Sequence, residues 1–268
     1  MTRLKPSTAK RNGKFWSARA RDWAKIQEGT LKPVFHAALE LAGVNADTQY
    51  LDVGCGAGMA AAMAARRGAQ VSGLDAAHAM IRIARIRTPK GDFHIGDLEA
   101  LPFKDATFDV VTAINALQYA GNPSLALKEA VRVTRPGGKI VIVTWGSADT
   151  MEATRLNASL KPLLKQSQDT PKAPTPFALS SRADLLDFIG DAGLFPEAFF
   201  DVQAPWVYPD FATALRGVTS PGVVVQAMQT LGKKVVVETY AQTLQQFRQP
   251  DGSVRIGADF RGLLTTRP

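Results

Sequence analysis

From Tyr50 to Trp145, short apolar runs alternate with stretches in which apolar residues recur every three or four positions. Tyr50-Leu51-Asp52-Val53, Gln70 to Leu74, Phe93-His94-Ile95 and Phe108 to Ile114 read as strands, and Lys139 to Trp145 as a further β-rich run. Between them, Ala57 to Arg67 stopped by Gly68, and Met80 to Arg87 halted by Pro89, read as helices. Asn122-Pro123 places an N-cap before a proline at the first helical position, opening a helix to Val133, and Pro136-Gly137-Gly138 reads as a turn. Upstream, Trp16, Ala20, Trp23 and Gln27 form a helical stripe, and a second helix runs from Pro33 to Ala42. The alternation predicts an α/β fold with a doubly wound parallel sheet covered on both faces.

After Trp145 the rhythm changes. Residues 149–166 read as helix, Pro171-Lys172-Ala173-Pro174-Thr175-Pro176 as a linker, and Ser181-x-x-Asp184 as a capping box for a helix ending near Gly193. Phe199 to Tyr208 reads as one strand, and 210–249 as largely helical with a break at Ser220-Pro221-Gly222. Gln249-Pro250-Asp251-Gly252 is a hairpin-type turn before a final strand near Phe260 to Thr265.

Composition adds exclusions. No apolar run approaches the ~20 residues needed to span a bilayer, and no apolar segment follows the basic N-terminus, so a cytoplasmic protein is expected. The single cysteine, Cys55, excludes an internal disulfide and any multi-cysteine metal site, and His36, His78 and His94 lie far apart, so no metal is expected. The net charge of +8 is concentrated in residues 1–21, which hold seven basic residues and no acid; setting them aside leaves 25 basic against 24 acidic residues. Residues 1–14 are therefore expected to be a flexible basic arm, and deleting residues 1–12 is expected to cost little activity.

The segment that carries chemistry is Leu51-Asp52-Val53-Gly54-Cys55-Gly56-Ala57-Gly58, a strand running into a glycine loop and then a helix. Glycines permit positive φ and close backbone approach, and the helix start offers free N–H groups. A dinucleotide fingerprint would put its third glycine at position 59, which is Met59. Instead Asp52 stands two residues before the first glycine, where a carboxylate repels a pyrophosphate and suits a ligand carrying an ammonium and a sulfonium. Asp75, 19 residues beyond Gly56 at the end of the next strand, can accept both ribose hydroxyls. Asp97 with Leu98 follows the third strand, where an acid can receive an adenine amino group and an apolar side chain can cover the ring.

With these residues the chain resembles the class I S-adenosylmethionine-dependent methyltransferases, most closely the group containing quinone-biosynthesis C-methyltransferases and other small-molecule methylases. The resemblance runs from about Trp16 to Trp145. It is carried by the glycine segment, by Gly96-Asp97-Leu98-Glu99-Ala100-Leu101-Pro102-Phe103, by Thr107-Phe108-Asp109-Val110-Val111 and by Arg132-Val133-Thr134-Arg135-Pro136-Gly137-Gly138. It implies S-adenosylmethionine as cofactor, S-adenosylhomocysteine as product, and a Rossmann-like sheet of about seven strands with the last antiparallel. It implies that Gly54 and Gly56 pass close to the methionine part, with Asp52 toward its ammonium and Gly58 also in the cofactor-binding loop. Asp75 would bind the ribose, Ala76 and Met80 would flank the adenine, Asp97 and Leu98 would hold its edge, and Asn115 and Gln118 would border the methionine end. In the family an N-terminal helical segment, here residues 15–45, closes over the cofactor, so Trp16 and Trp23 are either that cover or ordinary core. Many relatives carry a histidine just after the fourth strand; here the stretch is Gln118-Tyr119-Ala120, which leaves Tyr119 as the nearest catalytic candidate.

The implied domain covers residues 46–268, with segments 149–178 and 209–249 as a helical substrate lid. Trp206, Tyr208, Phe211, Tyr240 and Phe247 in and beside these segments suit an aromatic or apolar acceptor. Tyr119 and Trp145 are expected to line the acceptor pocket, Tyr119 either donating a hydrogen bond or taking a proton. Cys55 reads as a small packed residue, Asp109 as structural, and His78 and His94 as surface or packing residues. A nicotinamide oxidoreductase is disfavoured because no Tyr-x-x-x-Lys pair exists. A nucleic-acid methylase would use the basic arm, yet neither Asn-Pro-Pro-Tyr nor Asp-Pro-Pro-Tyr is present. A non-catalytic S-adenosylmethionine-binding protein remains a third reading.

Overall fold

A computed structural model of the chain describes residues 8–165 and 177–268. The N-terminal part holds α1 (Ala9–Ala18), the short α2 (Ala20–Asp22), a π-helical stretch over Trp23–Gln27, a 3-10 turn over Glu28–Leu31, and α3 (Lys32–Leu41). The βα alternation follows as β1 (Gln49–Val53), α4 (Met59–Arg66), β2 (Gln70–Asp75), α5 (His78–Arg87), β3 (Asp92–Ile95), β4 (Phe108–Ile114), α6 (Pro123–Val133) and β5 (Thr134–Trp145). Then come α7 (Thr154–Lys165), α8 (Arg182–Gly190), β6 (Pro196–Gln203), β7 (Trp206–Tyr208), α9 (Phe211–Val218), α10 (Gly222–Leu231), α11 (Lys233–Leu244), β8 (Val254–Ile256) and β9 (Asp259–Thr266).

Seven strands form one sheet in the order β3-β2-β1-β4-β5-β9-β6. β1 pairs in parallel with both β2 and β4, while β9 runs antiparallel to both β5 and β6, so the last strand alone is reversed. The strand alternation explains the two-sided core. Tyr50 belongs to one buried cluster with Val34, Leu39 and Ile81, and Leu51 and Val53 to another with Leu127 and Ile140. The strand order reverses between β1 and β4, which opens a crevice beyond their carboxyl ends. Local signals act as their chemistry requires. Asn122 Oδ1 accepts from Leu125 N at 3.2 Å, and Ser181 Oγ accepts from Asp184 N at 3.0 Å, capping α6 and α8. Among the described residues no helix is long and apolar enough to cross a membrane.

Several expectations change. The Trp16–Gln27 stripe is not one helix: α1 ends before Arg19, and the chain widens into the π-helical stretch at Trp23. Residues 9–14 of the supposed flexible arm belong to α1. Gly13 is packed so closely on α1's neighbour that a Cβ there would come within 2.2 Å of the Ala76 carbonyl oxygen. Residues 1–7 lie outside the described part. Pro136-Gly137-Gly138 is not a free turn but an irregular stretch inside β5. The pairing jumps from Phe108↔Thr134 to Val110↔Lys139, while Gly137 N donates to Arg267 O and Arg267 N to Gly138 O. The single strand expected over Phe199–Tyr208 is two. β6 joins the main sheet and β7 pairs with β8 in a separate ribbon, with Ala204-Pro205 between them, where proline offers no N–H to a ladder. The helix expected over 149–166 starts at Thr154, and the Pro171–Pro176 linker lies outside the described residues.

Candidate functional site

The glycine loop turns sharply between β1 and α4. Gly54 and Cys55 both donate their N–H to the Leu74 carbonyl, at 2.8 and 3.0 Å, which ties the loop to the end of β2. Gly54 has φ +79, and a Cβ there would meet the Ala116 Cβ at 2.4 Å, so glycine is required twice over. Gly58, with φ +77, is needed for a different contact: a Cβ would lie 2.7 Å from the Ala84 Cβ, where α4 packs on α5.

Three carboxylates converge on this loop. Asp52, at the end of β1, is buried, and its Oδ1 accepts from Thr112 Oγ1 at 3.0 Å; that hydroxyl in turn lies 2.6 Å from the Tyr50 hydroxyl. Burial pushes the Asp52 carboxyl up to about 7; the Thr112 bond opposes the rise and the charges of Glu28 and Asp75 add to it. Asp75, at the end of β2, accepts from Gly56 N at 2.9 Å and from Ala77 N at 2.7 Å, yet burial still raises it. Glu28, 2% exposed, comes from the N-terminal segment, ion-pairs with Arg87 at 2.6 Å and accepts from Met59 N at 3.2 Å. Burial raises Glu28 too, against the pull of Arg87. Such a cluster is costly without a counter-charge, and a ligand cation supplies one.

A cavity of about 1600 Å³, its open mouth included, starts at these acids and runs into an aromatic-walled chamber. Of the residues singled out from sequence, Trp23, Asp52, Gly54, Gly56, Asp75, Ala76, Met80, Asp97, Leu98, Asn115, Tyr119 and Trp145 line it. Gly58 and Gln118 do not. Gln118 is buried behind the wall, where its Nε2 donates to Asn115 Oδ1 at 3.0 Å and steadies a residue held at φ +50. Trp16 meets Trp23 edge to face, with ring centres 5.0 Å apart, and both pack against the small cluster of Ala20, Ala57, Ala77 and Met80. Asp97 Oδ1 accepts from Glu99 N at 3.0 Å, fixing the turn after β3.

At the chamber end, the Trp145 ring packs on Trp206, Phe260 and Phe177. Burial raises the Tyr119 hydroxyl above its ordinary range, with the Trp145 indole opposing. Tyr119 therefore keeps its proton near neutral pH and can donate it in a hydrogen bond. Burial likewise pushes the Cys55 thiol well up, and it is no nucleophile. Of the five lid-associated aromatics, Trp206 and Tyr240 line the cavity. Tyr208 instead donates to Gln27 Oε1 at 2.6 Å. His78 and His94 do not line it, and none of the described lining residues is basic.

Sequence reasoning passed over Glu28, Thr8 and Asn12. Thr8 Oγ1 and Asn12 Nδ2 donate to the Tyr119 carbonyl at 3.1 and 2.8 Å, which lays α1 across the site. Their partners are more than a hundred positions away, and neither residue belongs to a recognisable motif.

The family described as methyltransferase domain matches residues 51–142. A demethylmenaquinone methyltransferase of Beutenbergia cavernae is 32% identical over 167 residues, covering 60% of this chain and 69% of that protein. One of Renibacterium salmoninarum is 36% identical over 155 residues, covering 54% of this chain; the match spans 65% of the relative, just under two thirds. Among solved structures, a geranyl diphosphate C-methyltransferase of Streptomyces coelicolor, bound to S-adenosylhomocysteine, superposes with a TM-score of 0.53 at 16% identity, covering 88% of this chain and 75% of that one.

Proposed function

Because the chain belongs to the class I methyltransferases, we propose that it transfers a methyl group from S-adenosylmethionine to a small, neutral, largely apolar acceptor, with an aromatic ring the best fit. The observation that carries this reading is one cavity joining the acids Glu28, Asp52 and Asp75 to a chamber walled by Trp145, Trp206 and Tyr240. The acids fit a ligand with an ammonium and a sulfonium, because their buried negative charge is left under-compensated. Asp52 would receive the ammonium and Asp75 the ribose hydroxyls. Trp23, Ala76, Met80 and Leu98 would enclose the adenine, and Asp97 would accept from its amino group. Gly54, Gly56 and Asn115 would pass along the methionine part.

When bound, the cofactor supplies a methyl already attached to a good leaving group, so the protein's share is alignment and exclusion of water. Trp145 would hold the acceptor by its face, and Tyr119, which keeps its proton, would orient it by donating a hydrogen bond. Thr8 and α1 would close the cavity through their bonds to the Tyr119 carbonyl, and the described parts of the segments 149–178 and 209–249, through Met151, Leu156, Phe177, Val224 and Tyr240, would form the far wall. The demethylmenaquinone methyltransferases act, by their names, on a ring of the kind this chamber suits.

The test pairs calorimetry with transfer of labelled methyl. S-adenosylmethionine and S-adenosylhomocysteine should bind, and label should leave the cofactor for a hydroquinone or similar aromatic in preference to an RNA pool. Binding of NAD or ATP, and of neither S-adenosyl nucleoside, would sink the proposal. Label passing to RNA instead would overturn the acceptor half of it.

A further inference from the structure

In a strand–loop–helix nucleotide site, the helix N-terminus is where a phosphate ordinarily sits, held by free N–H groups and the helix dipole. Here that position is taken. α4 begins at Met59 after Gly58, and no side chain of the cap residue itself bonds to the first turn. The Glu28 carboxylate does so from thirty-one positions upstream, accepting from Met59 N at 3.2 Å and lying against Ala57 N as well. Arg87 Nη1 clamps the arrangement by donating both to Glu28 Oε2, at 2.6 Å, and to the Ala57 carbonyl, at 2.8 Å. Glu28 also borders the cavity, and its Oε1 would be 3.9 Å from a Cβ on Gly56. Arg87 is not among the residues lining the cavity, so the acid is the member of the pair nearer a bound ligand.

We propose that Glu28 determines ligand specificity: it fills the anion position at the start of α4, turns phosphate-bearing nucleotides away, and favours a cationic sulfonium over a neutral thioether. This rests on the cofactor reading above. A thioether product and a sulfonium substrate differ by one unit of charge next to the loop, and the Glu28 carboxylate, paired on its far side with Arg87, borders the cavity there from outside the βαβ core. Loss of the sulfonium charge on methyl transfer would then remove part of the attraction that held the substrate form.

The test is calorimetric, on the full chain, with S-adenosylmethionine and S-adenosylhomocysteine titrated into the parent and into Glu28→Gln. Glutamine can still accept from Met59 N, so the variant removes charge and little else. S-adenosylmethionine should weaken by about tenfold, as expected for losing one nearby charge in a partly shielded site, and S-adenosylhomocysteine by less than about twofold. A buried, unpaired Arg87 is a risk to folding. Glu28→Gln/Arg87→Met removes that charge as well, and in it the ratio of the two affinities should shift in the same direction by a smaller amount. In Glu28→Ala, inorganic pyrophosphate should compete with S-adenosylhomocysteine, as it does not in the parent. Equal losses for the two nucleosides in every folded variant would overturn the proposal while leaving the cofactor reading intact. Failure of both nucleosides to bind the parent would overturn the two together.

Discussion

Replacing Asp52 with asparagine should make the ligand-free protein more stable, and increasingly so as pH rises. The Asp52 carboxyl is held up to about 7 in the fold, against an ordinary value of 3.8 in the unfolded chain. As a neutral acid it is fully accommodated below about pH 4, and that advantage is lost progressively as pH rises through 7. At pH 8.5 the folded parent carries the whole penalty of a buried carboxylate; at pH 5 it carries the smaller part. Two pH units separate 5 from the folded value, so the stability difference between Asp52→Asn and parent should widen by about 3 kcal/mol between pH 5 and 8.5, at 1.36 kcal/mol per unit. Any constant packing difference between amide and acid cancels in that comparison, and Glu28 and Asp75 are common to both proteins. Urea unfolding at the two pH values measures it directly. In a thermal melt the gap should grow by roughly 5–10 °C. The same variant should bind S-adenosylmethionine more weakly by about 2 kcal/mol, the usual loss for a hydrogen bond to a charged group. A stability difference that is the same at pH 5 and 8.5 would refute the claim that burial holds this acid up.

Three further outcomes are expected. Asp75→Ala should weaken S-adenosylhomocysteine binding by about 1.5–3 kcal/mol, with Asp75→Asn recovering part; unchanged calorimetric affinity would mean the ribose is held elsewhere. Tyr119→Phe should lower turnover roughly tenfold with cofactor affinity unchanged, the cost of one hydrogen bond to a reacting group. Trp145→Ala should raise the acceptor KM, and normal kinetics in both variants would move the acceptor out of this chamber. Deleting residues 1–12 should weaken cofactor binding several-fold and slow turnover, because it removes Thr8, Asn12 and the start of α1. A truncated enzyme with intact turnover would show that α1 is not a cover.

The last of these reverses what the sequence suggests, and the reason is instructive. Charge composition makes residues 1–14 look like a tail, but the described part, from Thr8 on, is anchored by contacts that composition does not encode: Gly13 against the Ala76 carbonyl, and Asn12 with the Tyr119 carbonyl. The parallel core was legible because its signals are local. Phe108 to Ile114 and Pro123 to Val133 coincide with β4 and α6, bounded by an apolar run in one case and an Asn-Pro cap in the other. The positions of Asp52, Asp75 and Asp97 follow from strand ends in the same way. Glu28 was not legible. It lies on an irregular π-to-3-10 segment whose winding no periodicity predicts, and its meaning depends on Met59 and Arg87. The split of Phe199–Tyr208 into β6 and β7 was hidden for a related reason. Both halves are equally strand-like, and their assignment to different sheets is decided by partners beyond residue 250.

The reversed strand has a consequence for the order in which this chain can acquire its structure. β6 has β9 as its neighbour in the sheet, and β9 is also what joins β6 to β5. During synthesis, residues 196–203 therefore emerge some sixty positions before the strand that will pair with them. Until then the outer edge of β5 stands open, with Ile140, Ile142 and Val143 not yet covered by the strand that carries Leu263 and Leu264. The five parallel strands from β1 to β5 and their helices can assemble from nearer contacts, whereas closure of this edge waits on a pairing of long sequence separation, which is entropically slow. The nascent chain thus passes through an interval with an exposed apolar strand edge, the kind of surface that neighbouring chains pair with.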